Sequence, residues 1–306
     1  MTPSLPVVLV VFACPAVTLP TEVWQVAPDI KGKPGWANTQ RTKDRAALLI
    51  PGLKIHPFRP VVSTRPELHG WEEPTGELVR ALAKDFDVYA FGYAQTVPLD
   101  AVVHAPGLRE AVGNLRKAGY KEIVLIGHSA GGVIARLFAE AYPDSGVTKV
   151  IPVAAPHTGS ELADIIRAGY PKVQAPFVQS LSPEARCTKT GKGGEKIDMA
   201  CVVCKLRRLD GDGLVKLGSQ WPEECQKCGV PAVLVPVSHW DVMHSPAGAK
   251  AIAELAREKL TRWNTQEVEK ARKVLFGDPD ERRFNRRARR GRGEKTDLTA
   301  EHAERR

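Results

Sequence analysis

Short, uninterrupted apolar runs alternate with amphipathic segments through much of this 306-residue chain. A run of that length, bounded by turn residues, is typical of a strand buried on both faces of a sheet. Strands separated by helices form a mostly parallel sheet with helices on both faces, so the pattern predicts an α/β fold. The predicted strands are 46–50, 86–92, 123–126, 147–153, 201–206 and 233–237, and the predicted helices are 75–84, 108–118, 133–142 and a last one from 245 to about 263.

Two regions of the predicted domain, which spans 21–263, lack this regularity. Residues 21–45 are polar and rich in turn formers, so they are predicted to be a loop or a covering segment. Residues 156–200 contain the glycine- and lysine-rich stretch TKTGKGGEK. An excursion at this point of the chain is predicted to lie over the carboxyl edge of the sheet as a lid or cap.

The N-terminal 20 residues are mostly apolar. The run from Pro6 to Leu19 is short for a bilayer span, Pro15 interrupts it, and no lysine occurs before Lys31. It fits either a processed or membrane-anchoring segment or an unprocessed extension. The sequence therefore leaves open whether this segment associates with a membrane. It also leaves open whether the protein is cytoplasmic or exported.

The C-terminal segment 264–306 is basic, and seven arginines fall between Arg282 and Arg292. Its scarcity of apolar residues predicts a largely disordered tail. A nucleic-acid-binding arm is the alternative to a solvated tail. Because neither aromatic interleaving nor a nucleic-acid-binding fold accompanies the arginines, no nucleic-acid partner is expected.

The segment Gly127-His128-Ser129-Ala130-Gly131-Gly132 lies between a predicted buried strand and an amphipathic helix. A serine on a sharp strand-to-helix turn is held in a strained backbone, and glycines two positions away let neighbouring backbone pass close by. The free N–H groups at the start of the helix face negative charge that develops nearby. Ser129 is therefore predicted to be a nucleophile.

At this point the sequence resembles the α/β-hydrolase fold family, and within it the lipase-like branch. The resemblance implies an α/β-hydrolase fold and serine-dependent ester hydrolysis without a cofactor. One departure is Pro51, which stands where lipases usually carry histidine. The matching segments, in order, are Leu49–Leu53, Gly127–Gly132, Ala154–Ser160, Gly211–Val215 and Ser238–Asp241.

A serine nucleophile needs a histidine base, and that histidine needs a carboxylate partner. In this fold the acid and then the histidine follow the serine in the chain. His239 directly follows the strand 233–237 and is the predicted base, with His244 as the alternative. The acid is Asp212 or Asp210, and the resemblance favours Asp212.

Three other candidates for the triad are set aside. His302 belongs to the tail, and the resemblance makes the segment around His157 structural. Asp241 stands beside the predicted base and is expected to stabilise its loop.

The oxyanion formed during acyl transfer needs hydrogen-bond donors. The backbone N–H of Ala130, which follows the nucleophile, is the first expected donor. By resemblance, the second is the N–H of Leu53, in the loop after strand 46–50.

Cys201, Cys204, Cys225 and Cys228 form two Cys-x2-Cys pairs with the spacing of a zinc ribbon. Residues 201 and 204 of a strand face opposite ways, however, and the acid loop lies between the two pairs. Unlinked thiols are therefore favoured over a structural zinc or disulfides. A catalytic metal is not expected.

These observations predict a serine hydrolase of carboxylic esters whose substrate is a small-molecule or lipid ester. The first alternative is another acyl-transfer reaction at the same triad, as in a thioesterase, an amidase or an acyltransferase. The others are a catalytically inactive binding protein on the same scaffold and a zinc-stabilised nucleic-acid binder.

Overall fold

The computed structural model describes residues 19–29, 35–36, 39–54, 60–161, 172–187, 197–207 and 209–277. Its strands are β1 (Thr21–Ala27), β2 (Arg45–Ile50), β3 (Asp87–Tyr93), β4 (Glu122–His128), β5 (Lys149–Val153), β6 (Asp198–Met199), β7 (Cys201–Cys204) and β8 (Ala232–Val235). The six predicted strands correspond to β2–β5, β7 and β8, within two residues at each end.

The strands form one sheet in the order β1-β3-β2-β4-β5-β7-β8, and β6 also pairs with β5. Strand β1 runs antiparallel to β3, whereas the other pairs are parallel. The prediction of a mostly parallel α/β sheet is confirmed. Parallel strands bring their carboxyl ends to one edge of the sheet, which is where open α/β sheets bind ligands.

Helices cover both faces of this sheet. They are α1 (Glu77–Leu82), α2 (Leu99–His104), α3 (Pro106–Lys117), α4 (Ala130–Ala141), α5 (Ala175–Gln179), α6 (Pro183–Cys187), α7 (Leu217–Gln220), α8 (Glu223–Lys227), α9 (Pro246–Arg257) and α10 (Thr265–Phe276). The four predicted helices correspond to α1, α3, α4 and α9. Helix α9 ends at Arg257, well before residue 263, and it is not the last helix.

Alternate residues of β2 belong to two separate apolar cores. Leu48 packs with helices α3 and α4 on one face, and Leu49 packs with α1 and α9 on the other. Both residues are fully buried. A strand covered on both faces has no polar side, which is why the central strands are continuous apolar runs in the sequence.

Strand β1 lies within residues 21–45, so the prediction of a loop for that whole segment is wrong. Among the described residues the strand pairs with β3 alone, and its residues range from buried to exposed. Val23 and Val26 are buried, whereas Glu22 is exposed. An edge strand with a solvated face carries the polar residues that also characterise loops.

Helix α10 extends the folded region beyond the predicted boundary at Trp263. Asn264 caps it by accepting hydrogen bonds from the backbone of Gln266 and Glu267. Leu275 is 2% exposed, and the ring of Phe276 stacks on Trp221. The predicted tail 264–306 therefore begins too early, because this helix buries few apolar residues among many charged ones. Residues 278–306, including the arginine-rich stretch, lie outside the described residues.

The predicted lid at 156–200 contains helices α5 and α6 and the short strand β6, which belongs to the sheet. Residues 162–171 and 188–196 lie outside the described residues, as does the N-terminal segment 1–18. Within the described ranges, no helix is both long and apolar enough to cross a membrane.

Candidate active site

Ser129 lies on a sharp turn between β4 and α4, at the carboxyl edge of the sheet. Its backbone has φ 53° and ψ −124°, in a region that is costly for a residue with a side chain. The backbone N–H donates to the carbonyl oxygen of Val153 over 2.8 Å, which fixes the turn to β5. Ser129 is partly exposed at this edge.

Two glycines make the close packing of this turn possible. A Cβ on Gly127 would lie 2.2 Å from the carbonyl oxygen of Gly131, and a Cβ on Gly131 would lie 2.1 Å from that of Ile50. No side chain fits at either distance. The glycines on both sides of Ser129 are therefore required by packing of the turn against itself and against the end of β2.

Asp212 and His239 are in direct contact. The carboxylate oxygen Oδ2 of Asp212 accepts a hydrogen bond from Nδ1 of His239 over 2.7 Å, and the two residues are 1% and 3% exposed. The other oxygen, Oδ1, accepts from the backbone N–H groups of Leu214 and Val215 at 2.9 and 2.8 Å. The carboxylate is thus held from both sides and orients the imidazole ring.

His128 connects the loop of His239 to the turn of Ser129. Its Nε2 lies 2.9 Å from the carbonyl oxygen of His239, and the two rings are 4.9 Å apart. Burial, and then the neighbouring His239, hold the pKa of His128 well below its ordinary value, so the ring is neutral. A carbonyl oxygen only accepts, so Nε2 carries the proton and donates it. This bond keeps His239 next to the residue that precedes Ser129.

Within the described part of the chain, no hydrogen bond joins Oγ of Ser129 to His239. Such contacts are often open before substrate binds and tighten in the complex. The structure therefore brings Asp212 and His239 into contact with each other, and it links His239 to the serine turn through His128.

The alternative acid and base lie elsewhere. Asp210 and His244 are exposed. The carboxylate of Asp241 accepts a hydrogen bond from Ser238 in its own loop, as a loop-stabilising residue would. His157 is buried, and its backbone N–H bonds the carbonyl oxygens of Ala155 and Ser219. His302 lies outside the described residues.

The loop after β2 packs directly against Ser129. A Cβ on Gly52 would lie 2.7 Å from Cβ of Ser129, so the backbone of Gly52 packs against the side chain of Ser129. Leu53 follows in this loop, and Ala130 follows the serine. Within the described residues, the backbone N–H groups of Leu53 and Ala130 make no hydrogen bond. Two unpaired donors thus flank the serine.

Gln220 and Gln95 are buried residues of this site that the sequence analysis missed. The side-chain amide of Gln220 donates to Oδ2 of Asp212 over 3.2 Å. Gln95 contacts the loop after β2, accepting from the N–H of Lys54 and donating to the carbonyl oxygen of Gly52. A single glutamine belongs to no motif, so only the burial seen in the structure reveals these residues.

The four cysteines of the two Cys-x2-Cys pairs do not converge on one point. Cys201 and Cys204 belong to the apolar cores on opposite faces of the sheet, and Cys225 shares the core of Cys201. Cys201, Cys204 and Cys225 are free thiols. A sulfur–sulfur hydrogen bond between Cys201 and Cys225 raises the pKa of Cys201 and lowers that of Cys225. Among the residues that the structure describes, no three His, Cys, Asp or Glu side chains are grouped as a metal site, and this arrangement does not support the zinc alternative.

Comparison with known proteins agrees with this architecture. A family model described as alpha/beta hydrolase fold matches residues 66–192. The mature lipase BlEst2 of Bacillus licheniformis superposes with a TM-score of 0.53 at 11% identity, covering 72% of this chain and 96% of that chain. Its propeptide form superposes with a TM-score of 0.54 at 13% identity, covering 74% of this chain and 53% of that chain. Phospholipase PlaB from Legionella pneumophila superposes with a TM-score of 0.50 at 14% identity, covering 79% of this chain and 65% of that chain. A search of curated proteins found no significant match.

The sheet order, the helices on both faces and the strained serine turn between β4 and α4 define the class of fold. At identities this low, the likeness to solved structures concerns the fold alone. Together with the family model, it shows that the chain has an α/β-hydrolase fold.

Proposed function

We propose that this protein is a serine hydrolase of carboxylic esters that forms an acyl-enzyme on Ser129. One observation carries the proposal: His239 and Asp212 are buried and joined by a 2.7 Å hydrogen bond, and His239 is bonded to His128, which directly precedes a partly exposed serine on a strained turn. Serine, acid and histidine also follow each other along the chain in the order of α/β-hydrolases. The similarity in fold to a lipase and a phospholipase supports an ester substrate.

Acylation begins when Oγ of Ser129 attacks the carbonyl carbon of the ester. Nε2 of His239 takes the hydroxyl proton, and the carboxylate of Asp212 stabilises the imidazolium through Nδ1. The carbonyl π electrons move to the oxygen, which accepts hydrogen bonds from the N–H groups of Ala130 and Leu53. The tetrahedral adduct then collapses, and the leaving alcohol receives the proton from Nε2.

Hydrolysis of the acyl-enzyme repeats these steps with water in place of the serine hydroxyl. His239 removes a proton from the water, which attacks the acyl carbon, and Oγ of Ser129 leaves with that proton. The carboxylic acid is the second product. No cofactor is needed, because every proton and electron pair passes between the substrate, water and the three side chains.

The surface beside His239 favours a substrate with an apolar part. Trp240 is 56% exposed, and its ring stands edge-on to His239 with the centroids 5.7 Å apart. An exposed indole next to the base offers apolar contact area to a bound acyl or alcohol group. A small-molecule or lipid ester is therefore the substrate class that we propose.

A fluorophosphonate probe tests the proposal, because it labels only an activated serine. Labelling of the wild-type protein that is lost in Ser129→Ala is the expected result. A panel of p-nitrophenyl esters of graded acyl length, run beside matched thioesters and amides, then identifies the reaction. A well-folded wild-type protein that takes no label and cleaves no ester would instead be an inactive scaffold.

A further inference from the structure

We propose that Gln95 and Gln174 are positioning residues that hold the backbone N–H of Leu53 where the oxyanion forms. This inference rests on the proposed function, since Leu53 matters as a donor only if an oxyanion forms at Ser129. Neither glutamine touches the reacting atoms in this proposal. Both act through the loop after β2.

Gln95 bridges the two residues on either side of Leu53. Its Nε2 donates to the carbonyl oxygen of Gly52 over 2.8 Å, and its Oε1 accepts from the N–H of Lys54 over 2.9 Å. One planar amide therefore fixes the peptide groups before and after Leu53. Within the described residues, the N–H of Leu53 itself has no hydrogen-bond partner, so the bridge orients this donor without competing for it.

Gln174 extends the bridge from a distant part of the chain. Its Nε2 donates to the carbonyl oxygen of Lys54 over 2.9 Å and lies 3.4 Å from Oε1 of Gln95. Gln174 ends the short 3-10 helix Lys172–Gln174, just before α5, in the predicted lid region. The position of the loop thus depends on the packing of this segment as well as on β3, after which Gln95 follows.

The burial of both side chains makes these bonds strong constraints. Gln95 is 6% exposed and Gln174 is 0% exposed. A buried amide that loses its partner pays a desolvation cost, so each glutamine keeps its bonds rather than exchanging them for water. Tyr93 adds a further contact by donating from its hydroxyl to the carbonyl oxygen of Pro51 over 2.8 Å. The loop is therefore held at Pro51, Gly52 and Lys54, on both sides of the N–H of Leu53.

Gln95→Met and Gln174→Met test the inference, because methionine keeps the length of the side chain and removes its hydrogen bonds. Removal of a whole oxyanion donor lowers kcat by about 100- to 1000-fold. Loosening a donor that is still present should lower kcat by a smaller factor. We expect kcat for a p-nitrophenyl ester to fall about 10- to 100-fold in Gln95→Met and about 3- to 10-fold in Gln174→Met, with KM within about two-fold.

Two further measurements separate positioning from general damage. A boronic acid inhibitor forms a tetrahedral anion on Ser129 that resembles the oxyanion. Its affinity for the two glutamine variants should therefore fall by the same factor as kcat, whereas KM should hardly change. Hydrogen exchange should quicken at residues 52–54 and stay as in the wild type along β4. Gln179→Met is the matched control, since Gln179 is an exposed glutamine of α5, and its kcat should be that of the wild type.

The outcomes distinguish the inference from the function on which it rests. A wild-type protein that cleaves no ester refutes both. Suppose that the wild type is active and that Gln95→Met folds. If kcat of this variant is unchanged, or only its KM changes, the inference is refuted and the proposed function stands. If Gln95→Met unfolds, Gln174→Met decides. Unchanged boronic acid affinity and unchanged exchange at 52–54 in that variant also refute the inference.

Discussion

The side-chain amide of Gln220 donates a hydrogen bond to Oδ2 of Asp212, the oxygen that faces His239. The amide also accepts from the N–H of Cys204 over 2.6 Å and donates to the carbonyl oxygens of Cys204 and Val215 at 3.0 and 2.9 Å. Gln220 is 1% exposed. A single residue of α7 thus ties the acid-bearing loop to the end of β7 and orients the carboxylate.

Gln220→Met should weaken both the site and the fold. It leaves buried groups of Cys204 and Val215 without partners, which lowers the free energy of unfolding by about 1–3 kcal/mol. Looser orientation of Asp212 should lower kcat about 10-fold, roughly the loss expected for a disturbed supporting residue. Steady-state kinetics and urea unfolding measure the two effects. Gln266→Met, at an exposed glutamine of α10, is the control, and equal behaviour of the two variants would argue against this role.

Asp212→Asn should remove most of the activity while the fold persists. An amide in place of the carboxylate favours the wrong tautomer of His239 and does not stabilise its charged form, so kcat should fall by about 1000- to 10,000-fold. Asp210→Asn changes an exposed neighbour in the same loop and should leave kcat within about two-fold. If Asp210→Asn is the inactive variant, the acid has been assigned to the wrong residue.

Leu275→Ala should reveal that α10 is part of the folded domain. Leu275 is 2% exposed, whereas the adjacent Val274 is 65% exposed. Truncation of a buried leucine lowers the free energy of unfolding by about 2–5 kcal/mol, and truncation of an exposed valine changes it by about 0.5 kcal/mol or less. Chemical unfolding compares the two variants. Similar small effects would mean that the helix does not contribute to the core.

The unfolding free energy should fall as the pH drops below about 6.5. Burial lowers the pKa of His128 and His157 well below the ordinary value, and for His157 the charges of Arg136 and Arg186 add to this. In that pH range the unfolded chain binds protons that the folded chain excludes, so acid favours unfolding. Each histidine contributes up to about 1.4 kcal/mol per pH unit.

His157→Gln tests this pH dependence through the slope of stability against pH. Between about pH 6.5 and 5 the variant should lose stability less steeply than the wild type, whatever its absolute stability. Burial raises the pKa of Glu72, which acts in the opposite direction, but Glu72 is present in both proteins and cancels in the comparison. His104→Gln, at an exposed position, controls for the loss of an imidazole. Parallel slopes in His157→Gln and the wild type would contradict the prediction.

The central part of the fold was predictable because its strands are buried on both faces. Strands such as β2 and β4 are continuous apolar runs, and the helices between them keep an amphipathic pattern. The edge strand β1 and the helix α10 were missed for the opposite reason. Each buries only a few apolar residues, so local composition is dominated by the polar residues on the exposed side.

Some residues of the candidate site could likewise be predicted from the sequence, and others could not. Ser129 could be found from local sequence, since a serine turn between a strand and a helix needs glycines at fixed positions. His239 could be preferred to His244 because it directly follows a predicted strand, whereas Asp212 could be preferred to Asp210 only with the help of the family resemblance. Gln95, Gln174 and Gln220 could not be found, because their importance comes from burial and from bonds to backbone groups distant in the chain.

The sequence by itself determined the alternation of strands and helices and the strained turn at Ser129, since both depend on interactions between residues close together in the chain. Tertiary structure alone decided that Asp212 meets His239 and that the chain folds as far as α10. The physical reason is distance along the chain. Contacts between segments many residues apart are set by the packing of the whole sheet, and no local pattern encodes them.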